Sequence, residues 1–278
     1  MAQPGHTPAE GAGAAHVVTR DCPGCGGTAC TPLPDYSRAP WTTVACDACG
    51  FVYLREAPVY DRLEEEFAWE KTFAAETERR AQARPAFSRV DRATRWRLAL
   101  FRRDEAATYR EVFGEGNVLD VGCGGGTRLP EPLVPFGIEI SKDLAARADA
   151  HMQTRGGRTV QASAIGGLSA FPDGFFSGAL LRSFLEHEID PKGLLSGLHR
   201  VLRPGGAVYV KVPNFGSLNR RVMGVRWCGF RFPDHVNYFT MKSLADMARD
   251  CGYAIEPRGG LTRPVSDNLY AVLRKSVT

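Results

Sequence analysis

The 278-residue chain lacks several features that would place it in a class at once. No apolar run approaches the ~18 residues needed to cross a bilayer. Residues 1–20 are rich in Ala, Gly, Pro and His but have no apolar stretch typical of a secretory signal peptide, so we expect a disordered leader. The formal net charge is only +4, which argues against a nucleic-acid partner. Together these absences favour a cytoplasmic protein without a membrane span.

Cysteine is well represented, and four of the eight cysteines form a pattern. Two C-x-x-C pairs lie about 20 residues apart, which is the spacing of two turns that close on one zinc ion. Four thiolates complete a tetrahedral shell, so the predicted site is structural. Two disulfides are the alternative, but the other four cysteines are scattered without evident partners. The predicted zinc ligands are Cys22, Cys25, Cys46 and Cys49.

The pattern of apolar residues divides the chain into three regions after the leader. Residues 21–55 contain the cysteine pairs, and we interpret them as a small zinc ribbon. Residues 56–112 are rich in Glu, Arg and Ala and predict a helical segment. Over residues 113–278, strand patterns alternate with helix patterns. This alternation predicts an α/β fold with a doubly wound, mostly parallel sheet.

A glycine-rich turn follows the first strand of this region. Residues 118–126 have the sequence VLDVGCGGG, in which Gly122 and Gly124 would let a ligand approach the backbone closely. Glu139 ends the next predicted strand, where nucleotide folds place a ribose-binding acid. A dinucleotide-binding fold is the competing interpretation, but its G-x-G-x-x-G spacing is missing.

Several linked motifs resemble the class I S-adenosylmethionine-dependent methyltransferases. After the glycine-rich turn, the chain has GIEIS at 137–141, FPDG at 171–174, LEH at 185–187 and HRVLRPGG at 199–206. The resemblance covers residues 112–275 in the order of that family. It implies a seven-stranded, Rossmann-like methyltransferase sheet and S-adenosylmethionine as the cofactor.

The same resemblance implies which residues contact the cofactor. Asp120 would organise the glycine loop or hold the methionine amine through water, and Glu139 would hold the ribose. Ser183 and Phe184, after the fourth strand, would lie near the methionyl end. The full predicted set is Asp120, Gly122, Gly124, Gly126, Glu139, Ile140, Ser163, Ser183 and Phe184.

The chain departs from the family in two places. The acid that often follows strand three and receives the adenine amino group is replaced by residues 161–165, QASAI, so we expect a hydroxyl or backbone contact instead. The helix after the glycine loop is normally long, but residues 129–135, LPEPLVP, contain three prolines. A full helix cannot form through them, so we expect a short or irregular helix and a more open pocket.

The methyl acceptor is expected on the long segment after strand five, residues 214–239, which mixes aromatic residues with Arg and His. This stretch resembles the P-N…W…P-x-H-x-x-x-F-T pattern of bacterial small-molecule and sugar methyltransferases. His235 is the first candidate for a general base and Tyr238 the second, although His235 would also fit a purely structural role. Glu186 and His187 could face the acceptor as well, or pack structurally beside the cofactor loop.

Three functions compete on these grounds. We predict a methyltransferase acting on a small molecule, with O-methylation of a sugar, a sugar nucleotide or another secondary metabolite favoured. A ribosomal RNA base methyltransferase with a zinc ribbon is the first alternative, because ten arginines and three acids lie between Arg79 and Arg110. A non-catalytic zinc-ribbon binding protein is the second. The oligomeric state is open.

Overall fold

The computed structural model describes residues 16–59, 104–127, 129–259 and 264–277. The first fifteen residues of the predicted leader and residues 60–103 of the predicted helical segment lie outside these ranges. Among the described residues, no helix is long and apolar enough to cross a membrane.

Seven strands of the described residues form the large sheet, in the order β12-β13-β10-β9-β6-β7-β8. The strands from β10 to β8 are parallel to their neighbours, whereas β13 is antiparallel to both β10 and β12. The predicted seven-stranded, doubly wound architecture is confirmed. The strands are β6 (Gly116–Val121), β7 (Leu133–Glu139), β8 (Thr159–Gln161), β9 (Phe176–Arg182), β10 (Leu202–Pro213), β12 (Tyr253–Arg258) and β13 (Asn268–Lys275).

Helices connect most of these strands, and polar side chains cap them. Asp190 accepts a hydrogen bond from the Gly193 amide at 2.8 Å and is the N-cap of the helix that begins at Pro191. Ser141 and Ser163 cap their helices in the same way. The helices are α1 (Glu105–Phe113), α2 (Lys142–Gln153), α3 (Ala164–Leu168), α4 (Pro191–Val201), α5 (Leu218–Met223) and α6 (Met241–Asp250).

Apolar residues cover both faces of the large sheet, because successive side chains of a strand point in opposite directions. On one face, Val118 and Leu180 pack with Phe113 of α1. On the other face, Leu119 and Leu181 join a larger core that includes residues of α4 and α6. The sheet is therefore buried on both faces, as expected for parallel strands linked by helices.

The cysteine-rich region forms a second, antiparallel sheet of four strands in the order β11-β4-β3-β2. Its own strands are β2 (Cys30–Pro32), β3 (Thr43–Cys46) and β4 (Val52–Leu54). The fourth strand, β11 (Asn237–Tyr238), comes from the long segment after β10 and pairs with β4. The region predicted as a ribbon is thus joined by backbone hydrogen bonds to the segment predicted to hold the acceptor.

A separate pair of short strands corrects two predicted boundaries. β1 (His16–Thr19) pairs antiparallel with β5 (Glu56–Val59). The predicted disordered leader is therefore too long at its C-terminal end. The predicted helical segment also begins too early, because residues 56–59 form a strand.

The proline-rich segment between β6 and β7 contains no helix in the part of it that the structure describes, residues 122–127 and 129–132. The helix that we expected to be short or irregular is therefore absent from these described residues. Side chains from elsewhere hold the segment instead: Arg155 donates to the Leu129 and Leu133 carbonyls, and Arg110 donates to the Glu131 carbonyl.

Candidate active site

A cavity of about 470 Å³ lies at the carboxyl ends of β6, β7, β8 and β9. This is the edge at which open α/β sheets bind ligands, near the point where the strand order reverses between β6 and β9. Seven of the nine predicted cofactor residues line the cavity: Gly122, Gly124, Glu139, Ile140, Ser163, Ser183 and Phe184. We refer to the part lined by the glycine loop and by the ends of β7 and β8 as the cofactor end.

The glycine loop requires its glycines for two different reasons. Gly122 has a φ of +69°, and a Cβ there would lie 2.5 Å from the Phe184 ring. Gly124 has a φ of +57°, and a Cβ there would meet no atom within 4 Å. Since Gly124 lines the cavity, a side chain at this position would project into the space open to a ligand. The backbone therefore forms a cradle that a Cβ would fill.

Glu139 is buried at the floor of the cofactor end, with 8% of its surface exposed. One carboxylate oxygen accepts the Gly124 amide at 2.8 Å and the other accepts the Ser141 amide at 3.0 Å. Each carboxylate oxygen can accept a further hydrogen bond. Glu139 is therefore positioned to shape the glycine loop and to receive hydroxyl donors from a ligand at the same time.

Asp120 and Gly126 do not belong to the described lining of the cavity. The Asp120 carboxylate is buried and pairs with the Arg182 guanidinium at 2.9 Å, and Arg182 does line the cavity. Burial raises the pKa of Asp120, while Arg182 acts in the opposite direction. Gly126 packs instead against the His151 ring. Asp120 thus influences the cavity through Arg182, a contact that the sequence motif alone did not specify.

The strand that lacks the usual adenine-binding acid contributes small residues. Ala162, Ser163 and Ala164 line the cavity beside Ile140 and Leu144. The Ser163 hydroxyl accepts the Gly166 amide at 3.3 Å as the cap of α3 and retains its own proton for donation. This arrangement agrees with the expected hydroxyl or backbone contact.

The opposite part of the cavity, the acceptor end, is lined by two loops. The first follows β9 and contributes His187, Glu188 and Ile189, and the second contributes Pro233, Asp234 and Val236. At the start of the first loop, Ser183 has a φ of +55°, a conformation that non-glycine residues rarely adopt and that concentrates at functional sites.

The two residues predicted as general bases do not line the cavity in the described part of the chain. His235 is 5% exposed, and its Nδ1 lies 2.8 Å from the Gly229 carbonyl oxygen. Tyr238 is buried in β11 and packs on Phe215 and Phe230. His235 lies one residue layer behind the cavity, because its ring packs edge-on against His187 with centroids 4.7 Å apart.

Glu186, His187 and His235 form a compact cluster, in which one nitrogen or carboxylate oxygen of each side chain lies within 4.8 Å of those of the other two, an arrangement that could also hold a metal ion. His187 Nδ1 lies 2.8 Å from the Asp234 carbonyl oxygen. A carbonyl only accepts, so Nδ1 carries the proton and Nε2 carries the lone pair. Burial lowers the pKa of His187 to about 4 and raises the pKa of Glu186 to about 8. Lys211 and Arg231 oppose the shift of the Glu186 pKa, and Arg231 adds to the shift of the His187 pKa.

The four predicted zinc ligands come together at the ends of the ribbon strands. Cys22 Sγ lies 3.5 Å from Cys49 Sγ, and Cys25 Sγ lies 3.5 Å from Cys46 Sγ. All four sulfurs lie within 4.8 Å of one another. Four thiolates around Zn²⁺ at about 2.3 Å would be separated by similar distances, whereas a disulfide needs about 2.05 Å. The donor set and its spacing therefore fit a tetrahedral zinc ion.

Comparison with known proteins agrees with this geometry. A family model described as a methyltransferase domain matches residues 78–257. The chain is 29% identical over 163 residues to the ubiquinone biosynthesis O-methyltransferase of Thiobacillus denitrificans, covering 52% of this chain and 67% of the relative. It is 24% identical over 152 residues to an uncharacterized protein of Methanocaldococcus jannaschii, covering 54% and 71%.

Solved structures of lower identity are also similar. A SAM-dependent methyltransferase from Archaeoglobus fulgidus aligns with 61% of this chain and 92% of its own, at 17% identity and a TM-score of 0.47. The 1,6-didemethyltoxoflavin-N1-methyltransferase of Burkholderia thailandensis aligns with 88% and 99%, at 16% identity and the same TM-score of 0.47. The family match, which spans more than half of the chain, settles the assignment: the chain belongs to the methyltransferase domain family and is an S-adenosylmethionine-dependent methyltransferase.

Proposed function

We propose that this methyltransferase acts on a hydroxyl group of a small molecule held at the acceptor end of the cavity. The observation that carries the proposal is the position of His187, which lines the cavity at its acceptor end with Nδ1 2.8 Å from the Asp234 carbonyl oxygen. The relatives named ubiquinone biosynthesis O-methyltransferases support an oxygen atom of a small molecule as acceptor. A sugar, a sugar nucleotide or another secondary metabolite is the acceptor class that we favour.

The cofactor end would hold S-adenosylmethionine through its backbone and Glu139. Gly122 and Gly124 admit the methionyl and ribose parts, Glu139 accepts the ribose hydroxyls, and Ser163 donates toward the adenine ring. When bound, the cofactor supplies an electrophilic methyl group on a sulfonium. The chain then contributes alignment, because transfer requires the acceptor oxygen, the methyl carbon and the sulfur to lie in line.

His187, and not His235, is the general base in this proposal. Burial lowers the pKa of His187 to about 4, so the ring is neutral at neutral pH, and its buried Nε2 would have to turn toward the cavity to take the acceptor proton. His235 packs edge-on against the His187 ring, and Glu186 belongs to the same cluster. The acceptor end also contains two carboxylates, Glu188 and Asp234, which disfavour an acceptor with a phosphate or carboxylate group next to the reacting hydroxyl.

A direct test uses methyl-deuterated S-adenosylmethionine with three hydroxyl acceptors: 3,4-dihydroxybenzoate, UDP-glucose and methyl glucoside. The expected result is a mass shift of one labelled methyl on a neutral hydroxyl compound, lost in the His187→Gln variant. Methylation of ribosomal RNA, with none of the small molecules modified, would replace this proposal with the RNA alternative. A steep fall of RNA binding with salt would accompany that outcome.

We also propose that Cys22, Cys25, Cys46 and Cys49 bind one structural zinc ion. The purified protein should contain about one zinc per chain. Cys25→Ser should release the metal and unfold the ribbon while the large sheet stays folded, whereas Cys228→Ser, at an exposed cysteine outside the cluster, should keep it. Elemental analysis that finds iron, or no metal in protein purified without chelators, would contradict the zinc assignment.

A further inference from the structure

A buried arginine of the ribbon region, Arg20, lies between β1 and the first cysteine turn. Only 7% of its surface is exposed. Its Nη2 donates to the Ile189 carbonyl at 2.9 Å and to Asn237 Oδ1 at 2.8 Å. Its Nη1 donates to the Val236 carbonyl at 3.1 Å and, more weakly, to the Leu54 carbonyl at 3.4 Å. One guanidinium thus joins three separate parts of the chain.

Two of these partners belong to the loops that line the acceptor end. Ile189 comes from the loop after β9, and Val236 comes from the loop before β11. Asn237 strengthens the same junction, because its Nδ2 donates to the Leu185 and Glu188 carbonyls at 3.0 and 2.6 Å. Backbone hydrogen bonds from the Val236 and Asn237 amides to the Glu186 carbonyl, at 2.9 and 3.1 Å, join the same two loops, and Arg20 is the side chain that the ribbon region adds to this junction.

The cofactor end has a different construction. Gly122, Gly124 and Glu139 are held by hydrogen bonds within the ends of β6 and β7, such as the Gly122 amide to the Ile138 carbonyl at 2.8 Å. The hydrogen bonds described for these residues run within the large sheet region. A change at Arg20 therefore alters direct contacts of the two acceptor loops and none of the contacts described for the glycine loop.

We infer that Arg20 is a positioning residue for the methyl acceptor, and that the ribbon region is in this way part of the acceptor site. This inference rests on the proposed function for the location of the acceptor. The planar guanidinium matches four acceptors at fixed angles, which a lysine ammonium cannot reproduce. Loss of the guanidinium would remove the donor that the Ile189 and Val236 carbonyls share, so the two loops, still joined by Asn237 and by the amide bonds to the Glu186 carbonyl, would move apart more easily.

The ribbon region stays attached without Arg20, so the variant is informative. The Leu54 amide donates to the Val236 carbonyl at 3.0 Å, and β4 pairs with β11. Tyr36 stacks on Phe230 with centroids 5.3 Å apart. These contacts hold the ribbon region against the long segment after β10, residues 214–239, when the guanidinium is removed.

The test compares Arg20→Met, Arg20→Lys and the control Arg55→Met in the full, metal-loaded chain. Arg55 is an exposed arginine of the same region, with a weak contact to Cys30 Sγ. Hydrogen exchange with S-adenosylhomocysteine bound should be at least about 10-fold faster in residues 184–190 and 233–238 of Arg20→Met, because the two loops open more often once Arg20 no longer holds the Ile189 and Val236 carbonyls. Exchange in residues 118–126 should not change, and Arg20→Lys should be intermediate.

Two further readouts separate positioning from general destabilisation. The affinity for S-adenosylhomocysteine should change less than about 3-fold, while the KM for the neutral acceptor methyl glucoside should rise at least about 10-fold. Unchanged exchange in both loops, or equal acceleration across the whole chain, would overturn the inference. Wild type that fails to bind S-adenosylhomocysteine would instead overturn the proposed cofactor placement.

Discussion

The two ends of the cavity are built in different ways. At the cofactor end, the contact between Glu139 and the Gly124 amide joins residues 15 positions apart. At the acceptor end, the contact between Arg20 and Asn237 joins residues 217 positions apart. The cofactor end consists mainly of backbone at the edge of one sheet. The acceptor end depends on side chains brought together from the ribbon region, the loop after β9 and the long segment after β10. A local motif can therefore encode cofactor binding, while acceptor binding requires the complete fold.

The largest effect should come from the acceptor end. His187→Gln should lower turnover by about 10²–10⁴-fold, because the proton of the acceptor hydroxyl has lost its receiving base. His235→Gln should lower turnover less, since His235 does not line the cavity. The affinity for S-adenosylhomocysteine, measured by calorimetry, should stay near the wild-type value in both variants.

Two outcomes of this experiment would contradict the assignment. Near-normal turnover of His187→Gln would mean that alignment suffices for the acceptor used. If wild type contains a second metal ion per chain beside the zinc and His187→Gln lacks it, then Glu186, His187 and His235 hold a metal ion in place of a proton.

The next effect concerns the glycine cradle at the cofactor end. Gly124→Val should weaken S-adenosylhomocysteine binding by at least about 100-fold, because its side chain would occupy the ligand's space and steric exclusion exceeds the loss of one hydrogen bond. Gly114→Val is the matched control, with a similar φ of +67° but no place in the cavity lining. Equal binding by both variants would refute the cradle.

Glu139 should give a smaller effect at the same end. Glu139→Ala should weaken S-adenosylhomocysteine binding by roughly 1.5–3 kcal/mol, the loss of charge-assisted hydrogen bonds. Glu139→Gln should lose less, since an amide oxygen still accepts one of the two backbone amides. Calorimetry that finds wild-type affinity in Glu139→Ala would remove the ribose assignment.

The smallest effect is the dependence of stability on pH that the buried Glu186 should cause. Its pKa of about 8 lies above the ordinary value of 4.5, so the folded chain retains a proton that the unfolded chain has lost. This contribution to stability is complete below about pH 4.5 and is lost as pH rises toward 8. The contribution of His187, whose pKa is lowered to about 4, is instead lost as pH falls from about 6.5.

Measurement between about pH 6.5 and 8 therefore isolates Glu186. There the free energy of unfolding of wild type should fall relative to Glu186→Gln by up to about 1.4 kcal/mol per pH unit. The exposed Glu115→Gln should keep the wild-type slope. Parallel slopes for wild type and Glu186→Gln in urea titrations would show that Glu186 is ionised throughout.

The sequence was sufficient to predict the large sheet and most of the cofactor end. Strand and helix periodicity are local signals, and the glycine turn with Glu139 one strand later is a spacing that any reader of the sequence can measure. Seven of the nine residues predicted to contact the cofactor line the cavity, whereas Asp120 reaches the lining through Arg182 and Gly126 lies outside it.

The acceptor end was harder to predict for a physical reason. His235 was chosen from a loop pattern, but whether a loop histidine faces a cavity depends on what packs on it, here the Gly229 carbonyl and His187. Arg20 and Asn237 carried no local signal, since neither belongs to a motif and their partners lie far away in the sequence. The strand pairing of β4 with β11 is likewise a long-range event that no periodicity reports.

The proline-rich segment after the glycine loop has a consequence for the order in which the chain folds. A helix can begin to form by itself, because its hydrogen bonds join residues four apart. Carbonyls of residues 129–133 instead accept hydrogen bonds from Arg155, which follows α2, and from Arg110 of α1. Contacts of this range form only after the intervening loops have closed. Residues 129–133 should therefore become ordered during refolding only after α1 and the residues following α2 have packed against them.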